Sequence, residues 1–144
     1  MTSVTVKQFT DMRVGLTTSY SAVLDAKTIA AYAALSGDHN PIHEDADYAS
    51  GTRFGRPVAH GLLVASFVQS ALTKLVAPGG VSVRYEIDLI APAFVDAKVT
   101  AHVDCTALDS DRSRATFGVT VVDDTTRTTL IRGTAVVAFP RGDQ

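Results

Sequence analysis

Residues 62–75 most constrain how this chain can fold, because their apolar side chains would cover nearly the whole circumference of a helix. Such a helix is stable in water only when other elements bury it. The polar positions within it recur at i, i+3, i+4 and i+7 and form one narrow, uncharged stripe of Ser66, Gln69, Ser70 and Thr73. We expect this stripe either to line a pocket or to hydrogen-bond the sheet or a partner subunit.

The C-terminal half can supply the cover that this helix needs. Apolar and polar residues alternate strictly at 81–89, 95–105 and 114–121, and a last strand is predicted at 128–139. Strict alternation is typical of antiparallel strands with one buried face. This half also lacks the crossover helices that a parallel sheet requires. The pattern therefore predicts an antiparallel sheet that packs its apolar face on the central helix.

The N-terminal part adds one strand and one helix to this scheme. Weak alternation predicts a strand at 16–24, and Asp25 then caps a helix that ends at Gly37. The chain has 144 residues, of which 46% are hydrophobic and 19% charged, so one domain with a real core is expected over residues 1–144. The predicted fold class is α+β, with an antiparallel β-sheet wrapped around a central helix.

Charge and cysteine content exclude several classes of function. The chain carries 13 Lys and Arg against 15 Asp and Glu and shows no basic cluster, so a nucleic-acid partner is not expected. No apolar run reaches the roughly 18 residues of a membrane span, and the first residues lack the apolar core of a secretion signal. The single cysteine, Cys105, excludes an internal disulfide. A cytoplasmic protein without a membrane partner is expected.

The segment at 38–61 is irregular and contains three of the four histidines. A turn at Asn40-Pro41 can bring Asp38 and His43 to the same side, where a carboxylate and an imidazole can hold and polarise a water molecule. On residue types alone, an ordinary turn in which Asp38 caps the next helix explains the same residues. The pattern by itself leaves both interpretations open.

Two further features of this segment bear on chemistry. Gly61 precedes the central helix, so its N–H is either a donor for developing negative charge or part of a plain helix start. His39, His43 and His60 raise the possibility of a metal site with Asp38. Because proline is expected to interrupt the helix that would align His39 with His43, no metal is predicted.

The order of these residues resembles a known family. The resemblance rests on Gly37-Asp38-x-Asn40-Pro41-x-His43, Tyr48-Ala49, Phe54, Pro57 and His60-Gly61, followed by Pro92 and Phe94. This arrangement is similar to the hydratase 2 motif of the MaoC-like (R)-specific enoyl-CoA hydratases, and the likeness extends over about residues 16–139. One departure is Asp96-Ala97, where the family usually has Gly-Asp.

The resemblance implies a hot-dog fold and a homodimer with an acyl pocket at or near the interface. It implies that Asp38 and His43 are the catalytic pair, that Asn40 holds them in place and that the Gly61 N–H donates to the thioester oxygen. The implied reaction is the reversible syn addition of water to a trans-2-enoyl-CoA, giving a (3R)-3-hydroxyacyl-CoA. Coenzyme A enters as part of the substrate, and no metal or redox cofactor is implied.

Residues on and beside the central helix are the predicted substrate contacts. His60, Ser66 and Gln69 are expected to line the pocket, and the size of Gln69 indicates a short or polar acyl group. The candidates for the phosphates of coenzyme A are Arg53, Arg56 and Arg84. Two alternatives stay open, a 3-hydroxyacyl-[acyl-carrier-protein] dehydratase and a non-catalytic subunit that binds acyl thioesters.

Overall fold

The computed structural model describes residues 3–141. After a single 3-10 turn at Phe9–Asp11, the elements are β1 (Thr17–Val23), α1 (Ala26–Ser36), α2 (Pro41–Glu44), α3 (Ala46–Ser50), α4 (Gly61–Val76), β2 (Val81–Leu89), β3 (Lys98–Asp109), β4 (Arg114–Asp123) and β5 (Thr129–Ala138). Every predicted strand and both long helices are present with small shifts at their ends. The segment at 38–61, predicted to be irregular, contains two short helices, α2 and α3.

The five strands form one antiparallel sheet in the order β1-β3-β4-β5-β2. β3, β4 and β5 occupy its middle, and β1 and β2 are its edges. The inner face of β4 is buried at every second residue, including Ala115, Phe117, Val119 and Val121. This period-two burial confirms the antiparallel arrangement that the alternation predicted.

α4 lies against the inner face of this sheet. Its buried side chains include Val68 and Leu72, which are at most 1% exposed. Removing an aliphatic side chain of this size from water contributes about 1.5–3 kcal/mol to folding. A sheet wrapped around one buried helix is the hot-dog architecture, so the predicted fold class is confirmed.

Cys105 belongs to this same core. Its side chain is 1% exposed on the inner face of β3, and burial raises the pKa of the thiol. A raised pKa disfavours the thiolate, which is the nucleophilic form. The cysteine is therefore a packing residue, as its place on the apolar face of the strand predicted.

α1 ends directly before the irregular segment at 38–61. Its start is capped by Asp25, whose carboxylate accepts the Thr28 N–H at 2.8 Å. Its end is Gly37, with φ at +78°, a left-handed conformation that glycine adopts without strain. The turn at Gly37 places Asp38 immediately beyond the helix.

Within residues 3–141, no helix has both the length and the apolar character needed to cross a membrane.

Candidate active site

α2 is the local structure that folds Asp38 and His43 together. The Asn40 side chain accepts the Ile42 N–H at 3.3 Å and so caps the helix, while the Asn40 N–H donates to Asp38 Oδ1 at 3.2 Å. Pro41 occupies the first helical position, where its missing N–H has no cost. The helix therefore begins at Pro41 and leaves His39 outside it, as expected of a proline between His39 and His43.

The two side chains face each other across a short gap. His43 Nε2 lies 3.9 Å from Asp38 Oδ2, and the His43 side chain is 8% exposed against 52% for Asp38. His43 Nδ1 lies 2.6 Å from the Val58 carbonyl oxygen. Since a carbonyl can only accept, Nδ1 carries the proton and Nε2 presents a free lone pair. The pair therefore combines a buried, oriented base with a solvent-accessible carboxylate.

The start of α4 completes this corner of the molecule. His60 occupies the cap position of the helix, but its side chain accepts no hydrogen bond from the first turn. The first N–H groups of a helix have no partner within the helix and carry partial positive charge. A Cβ atom on Gly61 would stand 2.6 Å from Leu89 Cδ1, so a larger residue here would displace the Leu89 side chain from the helix start.

Two cavities lie along α4 and β2, one beside the pair and one farther along the helix, and together they are called the groove. Its first part is a cavity of about 380 Å³ that His43, Gly61, Val64 and Leu89 line among mainly apolar neighbours. Its second part, of about 780 Å³, is lined by Ser66, Gln69, Tyr85 and Ile87, among others. An apolar groove that begins at a polar pair suits a molecule with one reactive end and an apolar remainder.

The polar stripe on α4 has both of the roles that the sequence left open. Ser66 and Gln69 line the second cavity. Gln69 Oε1 also accepts hydrogen bonds from Ser82 Oγ at 2.5 Å and from the Tyr85 hydroxyl, so it ties α4 to β2. The Gln69 side chain is therefore held in place where it narrows the groove.

His60 lies against Asp38 and His43 and is not among the residues that line either cavity. The residue is 2% exposed. Its Nε2 donates to the Asp38 carbonyl oxygen at 2.9 Å, and its ring stacks on that of His43 with centroids 3.8 Å apart. Its Nδ1 is buried without a hydrogen-bond partner in the described part of the chain. A buried acceptor left unpaired costs about 1–3 kcal/mol.

The site also contains a possible set of metal donors. One atom each from Asp38, His43 and His60 lies within 4.8 Å of the others. The two imidazole planes are only 28° apart, however, so the in-plane lone pairs run side by side and do not converge on one point. His39 is outside this group, 62% exposed and 3.1 Å from Glu44 Oε2. The geometry favours paired imidazoles over a tetrahedral metal centre.

The three arginines considered for phosphate binding differ in their surroundings. Arg53 lines the first cavity, and its guanidinium lies 4.8 Å from the centre of the Phe54 ring. Arg56 stacks in the same way on Phe94, at 4.3 Å. Arg84 instead pairs with Glu86 at 2.6 Å on β2. Of the three, Arg53 is therefore the arginine that lines the same cavity as His43.

Sequence reasoning missed three contributors to this site. The Val58 carbonyl and the Leu89 side chain have no signature in a motif, since one is backbone and the other is an ordinary strand residue. Tyr32, a residue of α1, packs on His60 with ring centroids 4.7 Å apart. The aromatic character of Tyr32, one turn before the Gly37 helix end, is the one signal that sequence offers here.

Comparison with known proteins agrees with this geometry. The model of the MaoC like domain family matches residues 4–128. The (R)-specific enoyl-CoA hydratase of Aeromonas caviae is 36% identical over 130 residues, covering 90% of this chain and 96% of that protein. The 3-hydroxybutyryl-CoA dehydratase of Methylorubrum extorquens is 31% identical over 142 residues, covering 96% and 88%.

Solved structures give the same answer. The (R)-hydratase from A. caviae matches with a TM-score of 0.86 at 35% identity, covering 90% of this chain and 98% of that one. The fold and the site thus define a MaoC-like protein. The chain belongs to the MaoC-like family, as the resemblance of its Asp-x-Asn-Pro-x-His segment predicted.

Proposed function

We propose that this protein is an (R)-specific enoyl-CoA hydratase that adds water reversibly to trans-2-enoyl-CoA thioesters. The observation that carries the proposal is the 3.9 Å gap between His43 Nε2 and Asp38 Oδ2 at the head of an apolar groove. An imidazole with a free lone pair and a carboxylate can together bind and deprotonate one water molecule. The names of the A. caviae and M. extorquens relatives support the same reaction, in its two directions.

In the proposed reaction His43 Nε2 takes a proton from a water molecule while the water oxygen bonds to C3 of the enoyl group. Asp38 accepts the second O–H of that water and orients it. The electrons of the C2–C3 double bond move towards the thioester oxygen, where the Gly61 N–H stabilises the enolate. The imidazolium of His43 then returns the proton to C2 on the same face, which makes the addition syn.

The expected contributions are of ordinary size for such groups. A positioned acid or base supplies about 10²–10⁴-fold in rate, and one donor to the oxyanion about 10²–10³-fold. Asn40 takes part indirectly, because it caps the helix that carries His43 and bonds the Asp38 carboxylate. The scheme needs no metal and no redox cofactor, so none is proposed.

A short or polar acyl group is part of the proposal. Gln69 is fixed across the groove by its bonds to Ser82 and Tyr85, which leaves less room for a long chain. His60 is buried and does not take the substrate-contact role predicted for it, whereas Ser66 and Gln69 retain that role. For the coenzyme A phosphates we propose Arg53, which has no carboxylate within salt-bridge distance among residues 3–141.

We also propose that the protein works as a homodimer. β2 is an edge strand whose apolar side chains Val81, Val83 and Tyr85 are 64%, 47% and 45% exposed, and Leu62 beside them is 65% exposed. Exposed apolar patches of this kind mark interaction surfaces. A second copy that covers β2 would close the open side of the groove. The cytoplasmic location stays a prediction.

The decisive experiment compares two forms of the same substrate. Purified protein is incubated with crotonyl-CoA and with crotonyl-[acyl-carrier protein], and the loss of the conjugated absorbance is followed. Faster hydration of the CoA thioester, with (3R)-3-hydroxybutyryl-CoA as the product, supports the proposal. A preference for the carrier-protein thioester would make the protein an acyl-carrier-protein dehydratase. Absence of turnover with every enoyl thioester would leave a binding subunit and overturn the enzymatic proposal.

A further inference from the structure

His60 contacts both members of the catalytic pair although it lines neither cavity. Its Nε2–H bonds the backbone oxygen of Asp38, and its ring lies face to face with the ring of His43. At 2% exposure its side chain is out of reach of a substrate in the groove. One buried residue thus contacts both the main chain at Asp38 and the ring face of His43.

The residue type at this position is unfavourable for folding alone. A helix cap is normally Ser, Thr, Asp or Asn, and the His60 side chain caps nothing. Its Nδ1 is buried and unpaired, whereas a phenylalanine ring would fill similar space without a polar atom. Residues that violate local folding preferences concentrate at functional sites. The unfavourable choice of histidine is explained by its two contacts, one with Asp38 and one with His43.

We propose that His60 is a positioning residue that sets the distance between Asp38 and His43. The inference rests on the proposed hydration reaction, in which one water molecule must reach both groups. Tyr32 on α1 packs against His60 and helps to fix its ring. A misplacement of reacting groups by about 1 Å can lower a rate about 10²-fold, so a loosened His60 is expected to slow the chemical step without weakening substrate binding.

Two variants separate the two contacts. His60→Phe keeps a flat ring against His43 and removes the donor to Asp38. His60→Gln keeps an N–H donor and removes the ring. We expect kcat for crotonyl-CoA to fall at least tenfold in each variant, with KM within threefold of the wild type. In ¹⁵N-histidine NMR spectra, the His43 Nδ1–H signal is expected to shift or to exchange faster with solvent.

The control variant is Phe117→Leu, which removes packing from the fully buried inner face of β4 without touching the pair. It should lower Tm and leave kcat of the folded protein unchanged. A fall in kcat for only one His60 variant assigns the positioning to the contact that this variant lacks. If one variant does not fold, the other decides.

Two results overturn the inference. The first is a kcat within threefold of wild type in the folded His60 variants, and the second is a loss of activity that merely follows the unfolded fraction. If the wild type itself hydrates no enoyl-CoA, the proposed function fails separately. The NMR arm then decides alone: an unchanged His43 Nδ1–H signal in both variants overturns the positioning role, and a changed one supports it.

Discussion

The two ends of the groove along α4 are built in different ways. At the start of the helix, His43 and His60 are each fixed by a hydrogen bond to a backbone carbonyl and are almost fully buried. Farther along, Gln69 is held by side chains alone, those of Ser82 and Tyr85 on β2 and of Thr73 on α4. β2 is an edge strand whose apolar residues are largely exposed. At one end the polar groups are fixed by main chain, and at the other Gln69 is fixed by side chains next to an exposed edge strand.

The two ends of the groove are thus suited to different tasks in the proposed reaction, the chemical step at one end and the selection of the acyl chain at the other. The reactive end needs atoms held to fractions of an ångström, and backbone groups provide that rigidity because they are themselves tied into α2 and the preceding loop. The open end needs only a shape that admits or rejects an acyl chain, which replaceable side chains and a second subunit can provide. Substitutions at the two ends should therefore affect different kinetic quantities.

The largest effect is expected at the reactive end. Asp38→Asn and His43→Ala should each lower kcat for crotonyl-CoA by about 10²–10⁴-fold, because each removes one of the two groups that act on the water. Steady-state kinetics with circular dichroism as a folding check measure this. His39→Ala, which alters an exposed histidine outside the pair, is the matched control and should be neutral. Near-normal rates in both variants of the pair would contradict the mechanism.

The second prediction concerns the exposed strand. Val83→Lys places a charge among the apolar side chains of β2 and should raise the dimer dissociation constant by at least about tenfold, since a buried unpaired charge is costly. Sedimentation velocity over a range of concentrations measures this. The same substitution at Val14, which is 62% exposed but lies before β1, should leave association unchanged. A wild-type monomer at all concentrations would refute the dimer.

A third prediction tests the width of the groove. Gln69→Ser removes the bridge to Ser82 and Tyr85 and should raise kcat/KM for a six-carbon relative to a four-carbon enoyl-CoA by about tenfold. Ser70→Ala changes the same cavity wall without touching the bridge and should leave that ratio near its original value. An unchanged ratio in the Gln69 variant would mean that another residue limits the chain length.

The smallest effect belongs to a turn outside the groove. Asp96 has φ at +70°, a left-handed conformation, and it stands where the family usually has glycine. Asp96→Gly should therefore raise the free energy of unfolding by about 1 kcal/mol and leave kcat unchanged. Denaturant unfolding measures the change. Ala97→Gly, at a neighbour outside the positive-φ region, should be destabilising, and stabilisation by both variants would refute the argument.

Prediction from sequence worked best where periodicity or residue type determines structure. The alternation of β3 and β4 and the apolar α4 placed the whole sheet and its central helix, because burial enforces both periods. The Asp38, Asn40 and His43 spacing was enough to locate the pair through resemblance. The effect of Pro41 was also predicted, since α2 begins at this proline and so does not align His39 with His43.

The remaining features depend on distances between parts of the chain that are far apart in sequence. The stacking of His60 on His43 requires the start of α4 to return to α2, which periodicity does not determine. The bridge from Gln69 to Tyr85 requires the register of an edge strand against a helix. Neither contact has a local pattern, so only the three-dimensional structure reveals them.

The bond from His43 to the Val58 carbonyl has a consequence for the handedness of the product. Val58 is itself bonded through its N–H to the Ile42 carbonyl at 3.1 Å and bridged to Phe94, so the carbonyl that selects the reactive nitrogen belongs to fixed main chain. In the proposed reaction, the side of the cavity from which water is delivered is thus set by main chain. A substitution of a cavity side chain leaves that carbonyl where it is, so we expect the side of water delivery to survive such changes.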